Sequence, residues 1–530
     1  GLNNNIVRGV VQDNQGLIWV GTDHGGLNII DKQQKTFRYL TNNSEDPKSL
    51  SQNSITTLYK DNAGIIWIGT YKKGLCYYHE NMVKFPLFQH QAFASNTLPY
   101  DDVNRFAEDA NGNIWIGTNG GGLIYFDRTK NTYKQYLHNP SNPNSPSGNV
   151  IVSLWIDHQQ KLWIGSYVGG LDCFDGQRFV HYRHDPKDPN SLSDNSIWEI
   201  FEDSRQRRWI GTLGGGLNQL VNNQFIHYND KVRSPYISAF LEDKKGNLWI
   251  GTAEGVDVMD PKGQFTHYDA DPRQAGSLSH KNILCLFEDS HGQIWIGTRE
   301  GLNLFNPETH QFKIFRKEDG LPDNTVLNIL EDNNHTLWMS TANGLSNMRA
   351  KNQFKNYDQS DGLQGREFNE NAALKTRKGE LLFGGGNGFN LFYPNNISIN
   401  SSVPPIVLTD FQVFNKSLQP GEMLNGRVLL SQAINQTKHI TLKYRENEFS
   451  ISFAALNFFH PEKNEYAYML EGFNHEWLSS DGVLRTATYT NLDPGEYIFK
   501  VKASNNDGVW TPQALELRIT ILPPFWKTPL

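Results

Sequence analysis

One short stretch, Asn113-Ile-Trp-Ile-Gly-Thr118, keeps returning along the chain and constrains everything else. Earlier copies are Ile18-Trp-Val-Gly-Thr22 and Ile66-Trp-Ile-Gly-Thr70. Later ones are Leu162-Trp-Ile-Gly-Ser166, Trp209-Ile-Gly-Thr212, Leu248-Trp-Ile-Gly-Thr252, Ile294-Trp-Ile-Gly-Thr298 and Leu337-Trp-Met-Ser-Thr341, with a worn ninth copy at Leu381-Leu-Phe-Gly-Gly385. The tryptophans step by 48, 48, 48, 46, 40, 46 and 43 residues, with 44 more to Leu382. Any fold proposed for the chain must account for a period of 40 to 48 residues.

One unit, around Trp115, runs Val103-Asn-Arg-Phe-Ala-Glu-Asp109, a turn at Ala110-Asn-Gly112, Ile114-Trp-Ile-Gly-Thr118, a second turn at Gly120-Gly-Gly122, then Leu123-Ile-Tyr-Phe-Asp127 and Tyr133-Lys-Gln-Tyr136. Four short runs of β-branched and aromatic residues, split by Gly, Asn and Asp, predict a four-stranded meander. An aspartate ends the first run at Asp13, Asp61, Asp109, Asp157, Asp203, Asp243, Asp289 and Asp332. Present in every such unit, it serves the fold: its carboxylate can accept backbone N–H groups two residues on. The Trp reads as blade core, and Gly-Thr as the place where neighbouring sheets pack closely. One such sheet cannot bury both faces, whereas sheets repeated radially can, which makes a β-propeller. A flat solenoid is the competitor. The linkers Asn139-Pro-Ser-Asn-Pro-Asn-Ser145 and Asp185-Pro-Lys-Asp-Pro-Asn-Ser191 argue against it, being long enough to return from a blade's outer edge to the next inner edge.

Nine repeats exceed the four to eight blades usual for one ring. The expected division is therefore 1–82 as the last two blades of a truncated first propeller, 83–400 as a seven-bladed propeller, 403–523 as a β-sandwich, and 524–530 as a juxtamembrane end. The Leu382 copy lacks a clear fourth strand, and Val83-Lys-Phe-Pro-Leu-Phe88 is the candidate to supply it. Alternatively that segment finishes the Trp67 blade. After Pro404-Pro405 the repeat stops. About seven alternating strands follow, from Ile406-Val-Leu-Thr-Asp-Phe-Gln-Val-Phe414 to Leu515-Glu-Leu-Arg-Ile-Thr-Ile521, and predict a small antiparallel immunoglobulin/fibronectin-like sandwich. Tyr466, Tyr489, Tyr497, Trp477 and Trp510 are its expected core, with Tyr497 locking a corner. The whole chain is expected to be all-β.

Composition narrows the function. The 530 residues carry a net charge of −7 without charge blocks, which argues against direct nucleic-acid contact. Cys76, Cys173 and Cys285 are dispersed as small core residues, giving neither a disulfide frame nor a metal site. No signal peptide or membrane-spanning run is present. Residue 1 opens a blade without an initiator Met, so the expectation is a piece of something longer at both ends. The ending Pro523-Pro-Phe-Trp-Lys-Thr-Pro-Leu530 suits an approach to a membrane interface.

Repeats of the form Asp-x-x-Gly-x-Ile-Trp-Ile-Gly-Thr-x-x-Gly-Gly-Leu, followed by this sandwich, resemble the periplasmic sensor region of Bacteroidetes hybrid two-component systems. The sandwich is similar to the three-tyrosine domain after such propellers, through Tyr466-Ala-Tyr-Met-Leu-Glu-Gly-Phe473, Trp477, Tyr489-Thr-Asn-Leu-Asp-Pro-Gly-Glu-Tyr-Ile-Phe-Lys-Val-Lys-Ala-Ser-Asn505 and Gly508-Val-Trp510. The resemblance implies a periplasmic region of an inner-membrane histidine kinase, with a membrane helix just after residue 530. It implies an oligosaccharide ligand, control of polysaccharide-utilisation genes, and a homodimer through the sandwich. The kinase parts, and most of the first of the family's two propellers, lie outside this sequence.

Sugars are held by aromatic faces and planar polar groups, and a propeller offers these on loops the repeat does not need. Residues that break the repeat near the inner strands and after Gly-Thr are Arg105, Tyr167, Trp198, Arg299 and Glu300; these are the candidate ligand-binding residues. No catalytic residue, cofactor or metal is expected. The 16 histidines are dispersed, and His138, His181, His227 and His267 recur with the repeat at outer strands. A propeller polysaccharide or lactone lyase would need a poised base with a partner or a metal. A protein-binding scaffold would use the same loops as a sugar sensor.

Overall fold

The structure, a computed structural model, describes residues 1–44, 49–91, 96–349, 353–480 and 482–524. It is all-β: the described helical elements are single 3-10 turns such as Lys317–Asp319. The chain divides into two units, Val83–Ile397 and the pair Gly1–Met82 with Ser398–Leu530.

Val83–Ile397 holds seven four-stranded sheets. Blade 1 is Val103–Glu108, Ile114–Thr118, Leu123–Asp127 and Thr132–Tyr136, in meander order. Blades 2 to 6 repeat it, opening with Ile151–Ile156, Ile197–Glu202, Ile237–Glu242, Ile283–Glu288 and Val326–Glu331. The opening strands pack side by side around an axis, and that of blade 7, Ala373–Lys375, comes back to Val103–Glu108. Blade 7 continues with Leu381–Gly385 and Gly388–Phe392, and its outermost strand is Leu87–Phe88. The ring is thus held by a strand from its own beginning, with Phe88 stacked on Phe389 at 4.9 Å and Phe85 buried against Trp338, Tyr357 and Phe392.

Each repeated residue has a physical task. In blade 4, Asp243 Oδ1 accepts the N–H of Lys245 and of Asn247, both at 2.9 Å, and Oδ2 accepts the indole N–H of Trp249 at 2.9 Å. The same Asp–Trp bond recurs at Asp157–Trp163, Asp203–Trp209, Asp289–Trp295 and Asp332–Trp338, each 2.9 Å. Blade 1 departs from it: the Tyr125 hydroxyl donates to Asp109 at 2.9 Å, and burial with that carboxylate lifts the phenol to about 12. The glycine has no room for a side chain. A Cβ on Gly117 would sit 2.8 Å from Ile151 of the next blade, on Gly211 2.7 Å from Ile237, and on Gly384 2.8 Å from Val103 across the closure. The threonine hydroxyl closes the following turn, as in Thr118 to Gly122 O at 2.7 Å. In five blades a second buried polar position, on the third strand, ties down the incoming linker: Asn303 Oδ1 accepts Ser279 N–H at 2.9 Å and Asp172 Oδ2 accepts Ser147 N–H at 2.7 Å, with Asn218, Asp257 and Asn390 doing the same. Buried polar groups need such partners, so the linkers have fixed paths.

The other unit holds a four-stranded sheet opening at Val7–Gln12, a three-stranded sheet opening at Ile55–Lys60, and the sandwich. A four-stranded sheet centred on Ile406–Val413 and Phe449–Ala455 faces a five-stranded one built on Gly495–Ala503. Their inner faces bury Phe411, Phe449, Phe453, Tyr466, Tyr489, Tyr497 and Phe499. The Tyr497 hydroxyl donates to Asp493 O at 2.9 Å and locks the corner. Two expectations need correction. The sandwich is not wholly antiparallel, because His439–Leu442 pairs parallel with Leu515–Ile521. Trp477 and Trp510 are not core: they are 40% and 39% exposed, with the Lys502 ammonium 5.2 Å over the Trp477 ring. The expected juxtamembrane end falls, from residue 525 on, outside the described residues. Among the described residues no helix is long and apolar enough to cross a membrane.

Candidate functional site at the mouth of the ring

In blades 1 to 6 the first strand begins beside the end of the second: Val103 pairs with Thr118, Ile151 with Ser166, Ile197 with Thr212 and Ile283 with Thr298. The starts of the axial strands therefore share one face of the ring with the turns after Gly-Thr. All five sequence-selected residues fall on it. Tyr167 follows Ser166, Arg299 and Glu300 follow Thr298, and Arg105 and Trp198 stand near the starts of their strands.

Here the axial strands bulge. The register skips from Ile197 to Glu199, leaving Trp198 as the extra residue, and the same skip occurs in blades 1, 2, 4, 5 and 6. A bulge re-aims side chains. One result is that the residues after the skip, among them Arg105, Ser153, Glu199 and Asn328, occupy one layer along the axis. Arg105 crosses it. Its guanidinium pairs with Glu199 and donates to Asn371 O at 3.1 Å.

A closed circuit of contacts connects four blades. Trp198 meets the Tyr236 ring edge-on at 5.4 Å. Two residues past Tyr236, the Ser238 carbonyl accepts from Asn371 Nδ2 at 3.2 Å. Asn371 returns to Arg105 and so to Glu199, next to Trp198. Glu370, adjacent to Asn371, pairs with Arg299 at 3.6 Å. A small cavity of about 150 Å³ lies in the axis beside Arg105, Glu199, Asn328 and Asn371.

The charges are poised. Burial raises the Glu199 carboxyl above the usual range despite Arg105, and burial raises Glu370 in the same way. Burial also raises the Tyr236 phenol, reinforced by the charges of Glu370 and Glu199 and opposed by Arg299, which places the four groups in one electrostatic neighbourhood. Glu199 Oε2, Trp198 Nε1 and Ser238 Oγ are buried without a hydrogen-bond partner in the structure. Such groups are rare in folded proteins.

The structure thus brings Arg105, Trp198 and Arg299 together. Tyr167 and Glu300 stay exposed on turns of the same face, outside the circuit. Glu199, Tyr236, Glu370 and Asn371 escaped sequence reasoning. The readable signal was that Arg105 and Glu199, of opposite sign, hold the same position in two blades. A larger cleft of about 900 Å³ lies in the sandwich between Ile434–Gln436 and Leu515–Ile521. Tyr497 is the aromatic residue lining it, and its hydroxyl is already engaged. Among the described residues no cluster of three or more His, Cys, Asp or Glu is placed to hold a metal. His181 and His267 serve the blades, pairing with the third-strand Asp172 and Asp257.

Comparison with known proteins gives this architecture its context. The two component regulator propeller family matches residues 1–24, 49–72, 97–120, 231–254, 277–300 and 320–343, and the Y_Y_Y domain matches residues 457–522. Histidine kinase P4 of Formosa agariphila is 37% identical over 182 residues, which is 34% of this chain and 13% of that protein, so only a small part of that relative's length is matched. The extracellular domain of the hybrid two component system BT3049 of B. thetaiotaomicron aligns over 98% of this chain and 73% of its own, at 26% identity and a TM-score of 0.77. The corresponding domain of BT4673 shares the fold, over 98% of this chain and 69% of its own, at 24% identity and a TM-score of 0.51. The chain therefore carries two component regulator propeller repeats followed by a Y_Y_Y domain, and is similar over nearly its whole length to the extracellular domain of a hybrid two component system.

Proposed function

We propose that this chain is the periplasmic ligand-sensing region of a membrane-bound hybrid sensor histidine kinase, and that it detects an oligosaccharide at the mouth of the ring. The observation that carries the reading is the circuit at that mouth: an aromatic pair, the buried Glu199 and half-buried Glu370 carboxylates, and unsatisfied polar atoms on loops and bulges that the repeat does not require. Arg105, Tyr167, Trp198, Arg299 and Glu300 are its proposed ligand residues. Likeness to the extracellular domain of a hybrid two component system supports the sensor role. Ligand binding would shift the pairing of two sandwiches in a homodimer, and a membrane helix after residue 530 would pass the shift to a kinase controlling polysaccharide-utilisation genes. A ligand moves such an equilibrium only through its differential affinity for the two states. The region itself performs no chemistry in this reading.

The test is thermal unfolding of the complete extracytoplasmic region against a panel of oligosaccharides, with each mixture assayed for breakdown products. A ligand at 100 times its Kd adds about 2.7 kcal/mol. A shift from one glycan class without products supports a sensor. Products would revive a propeller lyase, and a flat panel would move the function to a protein partner.

A further inference from the structure

Resting on the mouth as the ligand site, the charge arrangement there carries the reading one step further, to the class of glycan. We propose that the mouth takes an uncharged oligosaccharide end, with Trp198 and Tyr236 as the platform for a sugar face and the carboxylates of Glu199 and Glu370 as acceptors of its hydroxyls.

Arg105 is neutralised by Glu199, Arg299 by Glu370 at 3.6 Å, and Lys281 by Glu254 at 2.9 Å. Arg366 donates to the side chain of Asn343 at 2.9 Å and Arg316 to the backbone carbonyl of Glu300 at 3.1 Å. The face also carries Glu300, Asp102, Asp194 and Asp323, the last three accepting from neutral donors: Asn369 Nδ2 at 2.7 Å, Ser196 N–H at 2.5 Å and Thr325 N–H at 2.8 Å. Among these residues carboxylates outnumber cations. At Arg105 or Arg299 a sulfate or uronate would have to displace the carboxylate already seated there and then lie beside it, and like charges at close quarters are strongly disfavoured. A neutral sugar meets no such obstacle. Its hydroxyls donate to Glu199 Oε2, which is buried and unpartnered, and its ring oxygens accept from Trp198 Nε1, which is in the same state. Hydrogen bonds to charged acceptors are the stronger kind, and the half-buried Trp198 and Tyr236 rings are held edge-on at 5.4 Å.

The experiment is isothermal titration of the 530-residue chain with neutral tri- to hexasaccharides (xylan, mannan, arabinan and β-glucan fragments) and with charged ones (oligogalacturonate, alginate and chondroitin sulfate fragments). The same titrations are run on Trp198→Ala and on the isosteric Glu370→Gln, each checked for an unchanged melting profile. The expected result is binding of a neutral glycan, insensitive to added salt, weakened about tenfold or more by either variant. A charged glycan that binds in a Trp198-dependent, salt-sensitive way would overturn the class while keeping the mouth as the site. A glycan whose affinity neither variant changes would overturn the mouth itself, and so would the absence of any binding across both panels.

Discussion

Replacing Asp243 by alanine isolates the bond that explains the repeat. In the native blade its carboxylate accepts four N–H groups: Lys245 N and Asn247 N at 2.9 Å, Trp249 Nε1 at 2.9 Å and Asn247 Nδ2 at 2.8 Å. Lys245 is exposed and Asn247 half-buried, so water replaces much of what their N–H groups lose. The indole has no such recourse, since Trp249 is 4% exposed. An orphaned buried donor costs about 1–3 kcal/mol and a partly solvated one less, so Asp243→Ala destabilises the ring by about 3–4 kcal/mol. At roughly 2–3 °C per kcal/mol for a domain of this size, its melting transition falls by about 6–10 °C. Asp260→Ala is the control. Asp260 accepts two backbone N–H groups at 2.8 Å in the same blade's outer turn but holds no indole, so its loss costs about 1 kcal/mol. Scanning calorimetry is the assay, read on the ring transition alone because the chain holds two units. If the two variants melt together, the aspartate acts only as a turn residue and the Asp–Trp bond is not what the repeat preserves.

Three other outcomes follow from the packing. Arg105→Met strands the buried Glu199 carboxylate and costs about 3–5 kcal/mol at neutral pH, whereas Arg105→Met with Glu199→Leu recovers most of it in denaturant melts. Glu199 already titrates above the usual carboxylate range through burial, and losing Arg105 lifts it further. Stability tied to a raised carboxyl is present below the unfolded-state pKa and lost as pH rises through the folded-state value. The Arg105→Met deficit therefore shrinks toward about pH 4 and grows toward pH 7 and above; a pH-independent deficit would contradict the assignment. Gly211→Ala, whose Cβ would lie 2.7 Å from Ile237, loses about 1–3 kcal/mol, while Gly386→Ala, with open space and no left-handed backbone, changes stability by less than about 0.5 kcal/mol. Phe85→Ala, at 0% exposure against three aromatic neighbours, costs about 3–5 kcal/mol and makes blade 7 the first point of proteolytic entry.

The all-β class and the repeat were legible because one set of contacts is used again in most blades. Asp, Trp, Gly and Thr each answer a fixed demand: an N–H to satisfy, an indole to bury, a neighbour's Ile to admit, a turn to close. The strands of the sandwich were legible from alternation, but alternation carries no direction, and the parallel pairing of His439–Leu442 was missed for that reason. Trp477 and Trp510 were misread because apolar size alone was taken as burial; both stand at the sheet's margin, where a lysine stem can cover a ring. At the mouth, Trp198 was visible as a break in the repeat, and the structure shows it to be a bulge residue. Glu199 was not, because its partner Arg105 is 94 residues away and only the closed ring brings them together. Tyr236 and Glu370 sit in linkers of irregular length, where no repeat register exists to make a residue conspicuous.

If the mouth binds ligand while the repeated tryptophans hold the blades, the indole N–H resonances separate the two roles directly. Trp163, Trp209, Trp249, Trp295 and Trp338 each donate to a buried aspartate at 2.9 Å, whereas Trp198 Nε1 has no partner. On adding the glycan that stabilises the protein to the 15N-labelled, deuterated chain, the Trp198 indole peak, assigned by its loss in Trp198→Phe, is expected to move while those five stay fixed. Movement among the five with Trp198 unchanged would place the ligand elsewhere and refute the site.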